Sequence, residues 1–224
     1  MIVLGIVGTP AGGKSTVAKF LASLGAEWID ADAIAKACLD EPDVVETLVG
    51  HFGDSIRADD GSIERARVAD LVFGTDREKQ ENLRFLESVV HPRTRRRILD
   101  RISVVSRANA PVVLLDVPLL FESGWDRACD AIWCVDASPE IRLQRSMVRG
   151  WDTSELARRE ANQLPIDAKS RLSNLVMRND ATLESLHEKL RRQWGHLVRI
   201  DTEAQANPIS QRRRHCISDR VVNS

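Results

Sequence analysis

The chain has 224 residues, 43% of them hydrophobic. That suits one α/β domain of ordinary to large size, able to bury its own core without metal or disulfide staples. Its 32 basic residues face 33 acidic ones for a formal net charge of −1, which argues against a dedicated nucleic-acid or membrane-surface binder, since those carry a basic surplus.

Ile2 to Val7 is a continuous apolar, β-branched run, as in a strand buried on both faces of a parallel sheet. Gly8 to Gly13 forms a turn, and Thr16 to Leu24 reads as a helix closed by Gly25. Ala26 to Ile29 is a short second strand, so the chain opens as an α/β fold. The stretch 34–107 differs, with helical signals and no strong strand, and reads as a helical insertion. Pro42 and Asp43 open a helix reaching Val49; Ile63 to Phe73 and Arg77 to Val90 are two more. His91-Pro92 starts another, with proline at the first helical position and Ile98, Ile102 and Val105 on one buried face.

Pro111 to Asp116 and Ala131 to Val135 are core strands. Ser138-Pro139 opens a helix to about Arg149, and Asp152 with Glu155 forms a capping box for a helix through Ala161. Pro165 to Asn174 is helical, Leu175 to Met177 a strand, Leu183 to Trp194 a helix and Leu197 to Ile200 a last strand. The polar remainder, 202–224, has no periodicity and is expected to be disordered.

Gly8-Thr9-Pro10-Ala11-Gly12-Gly13-Lys14-Ser15, followed by Thr16, matches the phosphate-binding pattern G-x-x-x-x-G-K-[ST]. Glycines let backbone N–H groups turn inward around a phosphate, and the helix start adds partial positive charge. In this pattern Ala11, Gly12, Gly13, Lys14, Ser15 and Thr16 wrap the phosphates of ATP; Lys14 reaches the β- and γ-phosphates and the Ser15 hydroxyl can hold Mg²⁺. The loop follows a buried strand and opens a helix, the context the motif requires. A GTPase would need N-K-x-D and D-x-x-G, and neither occurs. A small kinase phosphorylating a metabolite fits better.

Asp30 and Asp32 follow the second strand, at the carboxyl end where open α/β sheets place their ligands. Read as extended chain, the two acids face the same way; one of them can orient an acceptor hydroxyl and take its proton, while the other can cap the next helix. Asp116, ending an apolar strand, can hold Mg²⁺ through water, with Glu122 an alternative polar contact. Arg142, Arg145 and Arg149, spaced i, i+3, i+7, share a helix face with no acid four residues away.

With Ile29-Asp30-Ala31-Asp32 after the phosphate loop, the chain resembles the dephospho-coenzyme A kinase family. The ordered matches continue through His51-Phe52-Gly53, Asp60-Gly61-Ser62-Ile63-Glu64-Arg65, His91-Pro92, Asp116-Val117-Pro118-Leu119-Leu120-Phe121-Glu122, Val135 to Glu140, Arg159 with Gln163, and Asn179-Asp180. They cover about residues 1–200. The loop interior departs from the family's usual Gly-Ser-Gly ending, and Ala181 stands where glycine is common.

This resemblance implies one domain, 1–201, with a P-loop NTPase-type three-layer core around a parallel sheet. It also implies a helical acceptor-binding insertion at about 34–107 and a lid at about 146–165. The implied activity is ATP-dependent phosphorylation of the ribose 3′-hydroxyl of dephospho-CoA, giving CoA and ADP, with Mg²⁺. Asp32 would be the general base, His91 and Pro92 would start the helix bordering the acceptor, Asn179 would lie near the adenine, and Arg145 would be the lid arginine on the nucleotide. Arg158 and Arg159 would lie on the lid, after a hinge at Gly150. The expected ligands are small molecules, with neither nucleic acid nor membrane as partner and the oligomeric state open. A nucleoside kinase on the same core, or a non-catalytic nucleotide-dependent binder, are the competing readings.

The arginine skew, 26 against six lysines, is compatible with phosphate binding, although a chain-wide arginine preference accounts for most of it. Cys38, Cys129, Cys134 and Cys216 contain no C-x-x-C pair, as expected of buried thiols in a reducing cytosol. No apolar run reaches the roughly 20 residues of a membrane span, and the start lacks the basic region of a signal peptide, so a cytoplasmic location is expected.

Overall fold

The strand that leads into the phosphate loop is the centre of a five-stranded sheet ordered β2-β3-β1-β4-β5. The structure, a computed structural model, describes residues 1–108 and 110–206, and of 200–206 the backbone alone. β1 (Ile2–Gly8) pairs in parallel with β3 (Val112–Asp116), Ile6 opposite Asp116, and with β4 (Ala131–Asp136), Gly8 opposite Val135. β4 pairs in parallel with β5 (Leu175–Arg178). β2 (Glu27–Asp30) lies at the other edge.

All seven β1 residues are buried, the mark of a strand covered on both faces. Ile2, Leu4 and Ile6 share a core with Val17 and Leu21 of α1 (Lys14–Ser23) and with Leu186 and Leu190 of α9 (Leu183–Ala206). Val3 and Val7 alternate to the opposite face and are also buried.

The described residues divide into two compact units, one of Met1–Ile29 with those from Val104 to Ala206, the other Asp30–Ser103. The second unit holds α2 (Ala31–Cys38), α3 (Pro42–Phe52), α4 (Arg65–Val72) and most of α5 (Arg77–Arg107). Its core is Val44, Val45, Leu48, Ile56, Ile63, Val68, Val72 and Val89. An antiparallel bridge, Arg57 with Ile63, closes the turn before α4. The first unit also carries α6 (Pro139–Val148), α7 (Thr153–Ala161) and α8 (Ile166–Leu172), the last packed on β1 and β4.

Two expectations are corrected. No helix starts at His91-Pro92: Pro92 sits inside the unbroken α5. Proline removes the N–H that would meet the Ser88 carbonyl and usually ends or kinks a helix. Here buried side chains hold both halves, Val89 and Val90 before it and Ile98 after. Side chains also reach carbonyls beside Pro92, Arg93 Nη1 to Val89 O at 3.0 Å and Thr94 Oγ1 to Val90 O at 2.9 Å. Likewise Leu197 to Ile200 is no strand. Leu186, Leu190 and Leu197 are buried, Trp194 and Val198 pack beside them, and this helical stripe carries α9 through to Ala206. Residues 202–206 are therefore helical; the rest of the expected disordered tail, 207–224, lies outside the described residues.

Candidate active site

The phosphate loop leaves β1 at Gly8, where a side chain cannot fit: a Cβ there would lie 1.9 Å from the Val135 carbonyl oxygen. It re-enters helix at Gly13, the N-cap of α1, at φ +106°. Inside the loop Gly12 N–H donates to Thr9 O at 3.0 Å, and Thr9 N–H to Val135 O at 3.3 Å. Ala11 is left-handed at φ 59°, a conformation non-glycine residues adopt only when surroundings enforce it. No acid stands in the first turn of α1, and the helix start offers an anion partial positive charge. Lys14, Ser15 and Thr16 are half-buried in that turn.

The carboxyl ends of β4 and β5 frame this loop. Asp136, 4% exposed, accepts from Thr9 Oγ1 at 2.9 Å and from Arg178 Nη1 at 2.5 Å. Asn179, following β5, is buried; its N–H donates to Asp136 O at 2.7 Å and its Nδ2 to Gly12 O at 2.9 Å. Arg145 donates to the Gly12 and Asn179 carbonyls at 3.3 and 3.0 Å. Arg145 and Asn179 are thus brought to the loop itself. Asp116 is half-buried at the end of β3, in the strand beside β1.

Each arginine of the face that α6 opens meets a partner. Arg142 binds Glu160 of α7 and donates to Ala137 O at 3.0 Å. The partner lies 18 residues away, beyond any search of neighbouring helix turns. Arg149 lies 5.4 Å and Arg159 4.1 Å from the Trp151 ring centre, cation–π contacts that gather the connection between α6 and α7. Asp152 caps α7 through Glu155 N–H at 2.8 Å, as its spacing predicts. Ser138 is the N-cap of α6 but its hydroxyl makes no cap bond; its N–H donates to Asp180 instead, at 2.6 Å.

A cleft of about 310 Å³ opens between Thr9 and Pro10 of the loop and Arg142, Glu160, Gln163 and Lys169. Sequence reasoning assigned no role to two buried polar residues that bond to the loop, Asp136 and Lys169. Asp136 had a signal, an acid ending an apolar strand like Asp116. Lys169 had none, because its α8 helix shows no pattern that marks the lysine as inward.

In the second unit Asp30 is the N-cap of α2, accepting from Ala33 N–H at 3.0 Å. That settles which acid caps the helix. Asp32 stands exposed in its first turn, so the two acids do not share a strand face as the extended reading expected. His91 and Pro92 are exposed in mid-α5.

Among the described residues no three His, Cys, Asp or Glu side chains cluster to hold a metal, and no helix is long and apolar enough to cross a membrane. The Ser15 hydroxyl in the first turn of α1 and the Asp116 carboxylate at the end of β3, the strand paired with β1, are oxygen donors of the kind that suits Mg²⁺, which is held by one or two protein oxygens together with phosphate and water.

A family model described as dephospho-CoA kinase matches residues 2–185. A protein of that name from Rhodopirellula baltica is 45% identical over 184 residues, 82% of this chain and 85% of that one. Another, from Symbiobacterium thermophilum, is 36% identical over 196 residues, 87% of this chain and 80% of that one. Among solved structures, TT1252 from Thermus thermophilus superposes with a TM-score of 0.72 at 36% identity, over 88% of this chain and 97% of that one. Dephospho-CoA kinase from Campylobacter jejuni superposes at 0.64 and 21% identity, over 87% and 96%, a likeness of fold.

Proposed function

This chain belongs to the dephospho-CoA kinase family, and from that premise we propose which of its residues carry the reaction. The activity is transfer of the terminal phosphoryl group of ATP to the ribose 3′-hydroxyl of dephospho-CoA, giving CoA and ADP. The chemistry is displacement at phosphorus: the hydroxyl oxygen bonds to the γ-phosphorus, the bond to the β–γ bridging oxygen breaks, and the hydroxyl proton must be taken up. Little covalent work is left to the protein, so positioning and charge stabilisation dominate.

Backbone N–H groups from Ala11 to Thr16 cradle the phosphates, and Lys14 holds the β- and γ-oxygens. Arg145, already fixed at the Gly12 carbonyl, stabilises the charge that spreads over the transferred group. Asn179 fixes the loop and borders the adenine. Asp32 accepts the proton of the 3′-hydroxyl, and His91 and Pro92 border the acceptor from α5. Ser15 and Asp116 would hold Mg²⁺, and the ion would supply neutralisation of the phosphate charge.

On this reading residues 1–201 are one kinase domain, with 34–107 as acceptor-binding insertion and 146–165 as lid. The protein works in the cytoplasm, and the balanced charge favours small anions over nucleic acid as partners.

The observation that carries this assignment is the phosphate loop, closed at both ends by glycine and opening a helix free of acid in its first turn. The test is ADP release from ATP across acceptors, with and without Mg²⁺. Turnover with dephospho-CoA, abolished by EDTA and restored by Mg²⁺, is expected. Turnover with a nucleoside monophosphate and none with dephospho-CoA would overturn it.

A further inference from the structure

Lys169 belongs to none of the motifs named above, yet it is 2% exposed, and lysine is almost never so buried unless paired. It stands on α8, which packs against β1 and β4. Its ammonium donates to Gln163 Oε1 at 2.6 Å and to Gly8 O at 3.2 Å. Both acceptors are neutral, so they satisfy donors without cancelling the charge. Gly8 is the residue at which β1 becomes the phosphate loop, and Gln163 lies between α7 and α8.

Burial pushes the Lys169 amine below the ordinary lysine value, and the charge of Lys14 adds to the push, while Glu122 and Cys134 act the other way. Two ammonium groups that feel each other across the loop are better tolerated when an anion lies nearby. Lys169 also lines the cleft that Thr9 and Pro10 line.

We propose that Lys169 is a positioning residue of the phosphate site. Its buried ammonium ties the segment between α7 and α8 to the first carbonyl of the loop. It also sets a second fixed positive charge behind the loop, which favours the nucleotide's phosphates. The inference rests on the reading that the loop binds ATP, and it adds that ATP affinity depends on a residue that does not belong to the loop motif.

The experiment compares wild type with Lys169→Arg, Lys169→Gln and Lys169→Met in the full chain. Calorimetric titration with ATP and Mg²⁺ is done without acceptor, beside melting temperature and the KM for dephospho-CoA. The wild-type titration reports on the loop reading and the wild-type turnover on the acceptor, so either can fail separately from Lys169. Lys169→Gln and Lys169→Met should weaken ATP binding by about tenfold, the scale of a lost charged hydrogen bond. Lys169→Arg keeps the charge and should retain more ATP affinity than Lys169→Met, and the KM for dephospho-CoA should move little. The Gln variant should melt close to wild type; if the Met variant does not fold, the Gln variant decides. ATP affinity unchanged in Lys169→Gln, or lost as heavily in Lys169→Arg as in Lys169→Met, overturns the proposal.

Discussion

Asn179 reaches back across 167 positions of sequence to donate its side-chain amide to the Gly12 carbonyl, 2.9 Å away. The same carbonyl receives Arg145 at 3.3 Å. With its oxygen engaged by two side chains, the Gly12 peptide is held in one orientation. Asn179→Ala removes the shorter of these bonds. The KM for ATP should rise roughly three- to tenfold, the range for one buried hydrogen bond, with kcat changed much less. Steady-state kinetics with saturating dephospho-CoA reads this directly, and an unchanged KM would mean that Arg145 alone holds the loop.

Gly13 and Gly25 offer a matched pair. Both are left-handed, at φ +106° and +104°, but a Cβ at Gly13 would lie 2.2 Å from Asn179 Nδ2, while one at Gly25 meets nothing within 4 Å. Each alanine substitution carries backbone strain of about 1–3 kcal/mol. Gly25→Ala should therefore lower the melting temperature and leave ATP affinity intact. Gly13→Ala should lose both, because it also displaces Asn179. Equal ATP affinity in the two variants would contradict the role given to the contact between Asn179 and the loop.

Thr9 Oγ1 and Asp136 Oδ1, 2.9 Å apart, form a buried bond from the loop to the end of β4. Thr9→Val keeps the shape and deletes the donor, leaving a buried carboxylate with one partner fewer, at a cost of about 1–3 kcal/mol. A drop in melting temperature of about 2–6 °C is expected, together with weaker ATP binding. Thr9→Ser should preserve both. Differential scanning fluorimetry with and without ATP separates the two effects.

The parts of the molecule that sequence made legible are those whose cause is local. Ile2 to Val7 is apolar without interruption because it is covered on both faces, and Asp152 caps α7 through a residue three positions on. The ordered motifs from the acid pair to Asn179-Asp180 pointed to the family that the comparisons bear out. What escaped depends on distant partners. Pro92 reads as a helix start until the buried residues on either side of it are known to pack. Arg142 reads as unpaired until Glu160 arrives from another helix. Lys169 carries no signal until α8 is seen to lie against β1 and β4. The acid pair was half legible: its place after β2 was clear, but which acid caps the helix required the bond from Ala33 to Asp30.

Asp32, in the first turn of α2, is the carboxylate we propose for the acceptor hydroxyl. Asp32→Asn keeps the size of the side chain and abolishes its ability to take a proton. The decisive measurement pairs kcat for this variant, from ADP release with dephospho-CoA, with its ATP dissociation constant from calorimetry. A fall in kcat of about 10²–10⁴-fold, the usual contribution of a general base, with ATP affinity within about twofold of wild type, is the predicted result. Turnover near the wild-type rate, or an equal loss of ATP binding, would contradict the assignment of Asp32 as the base.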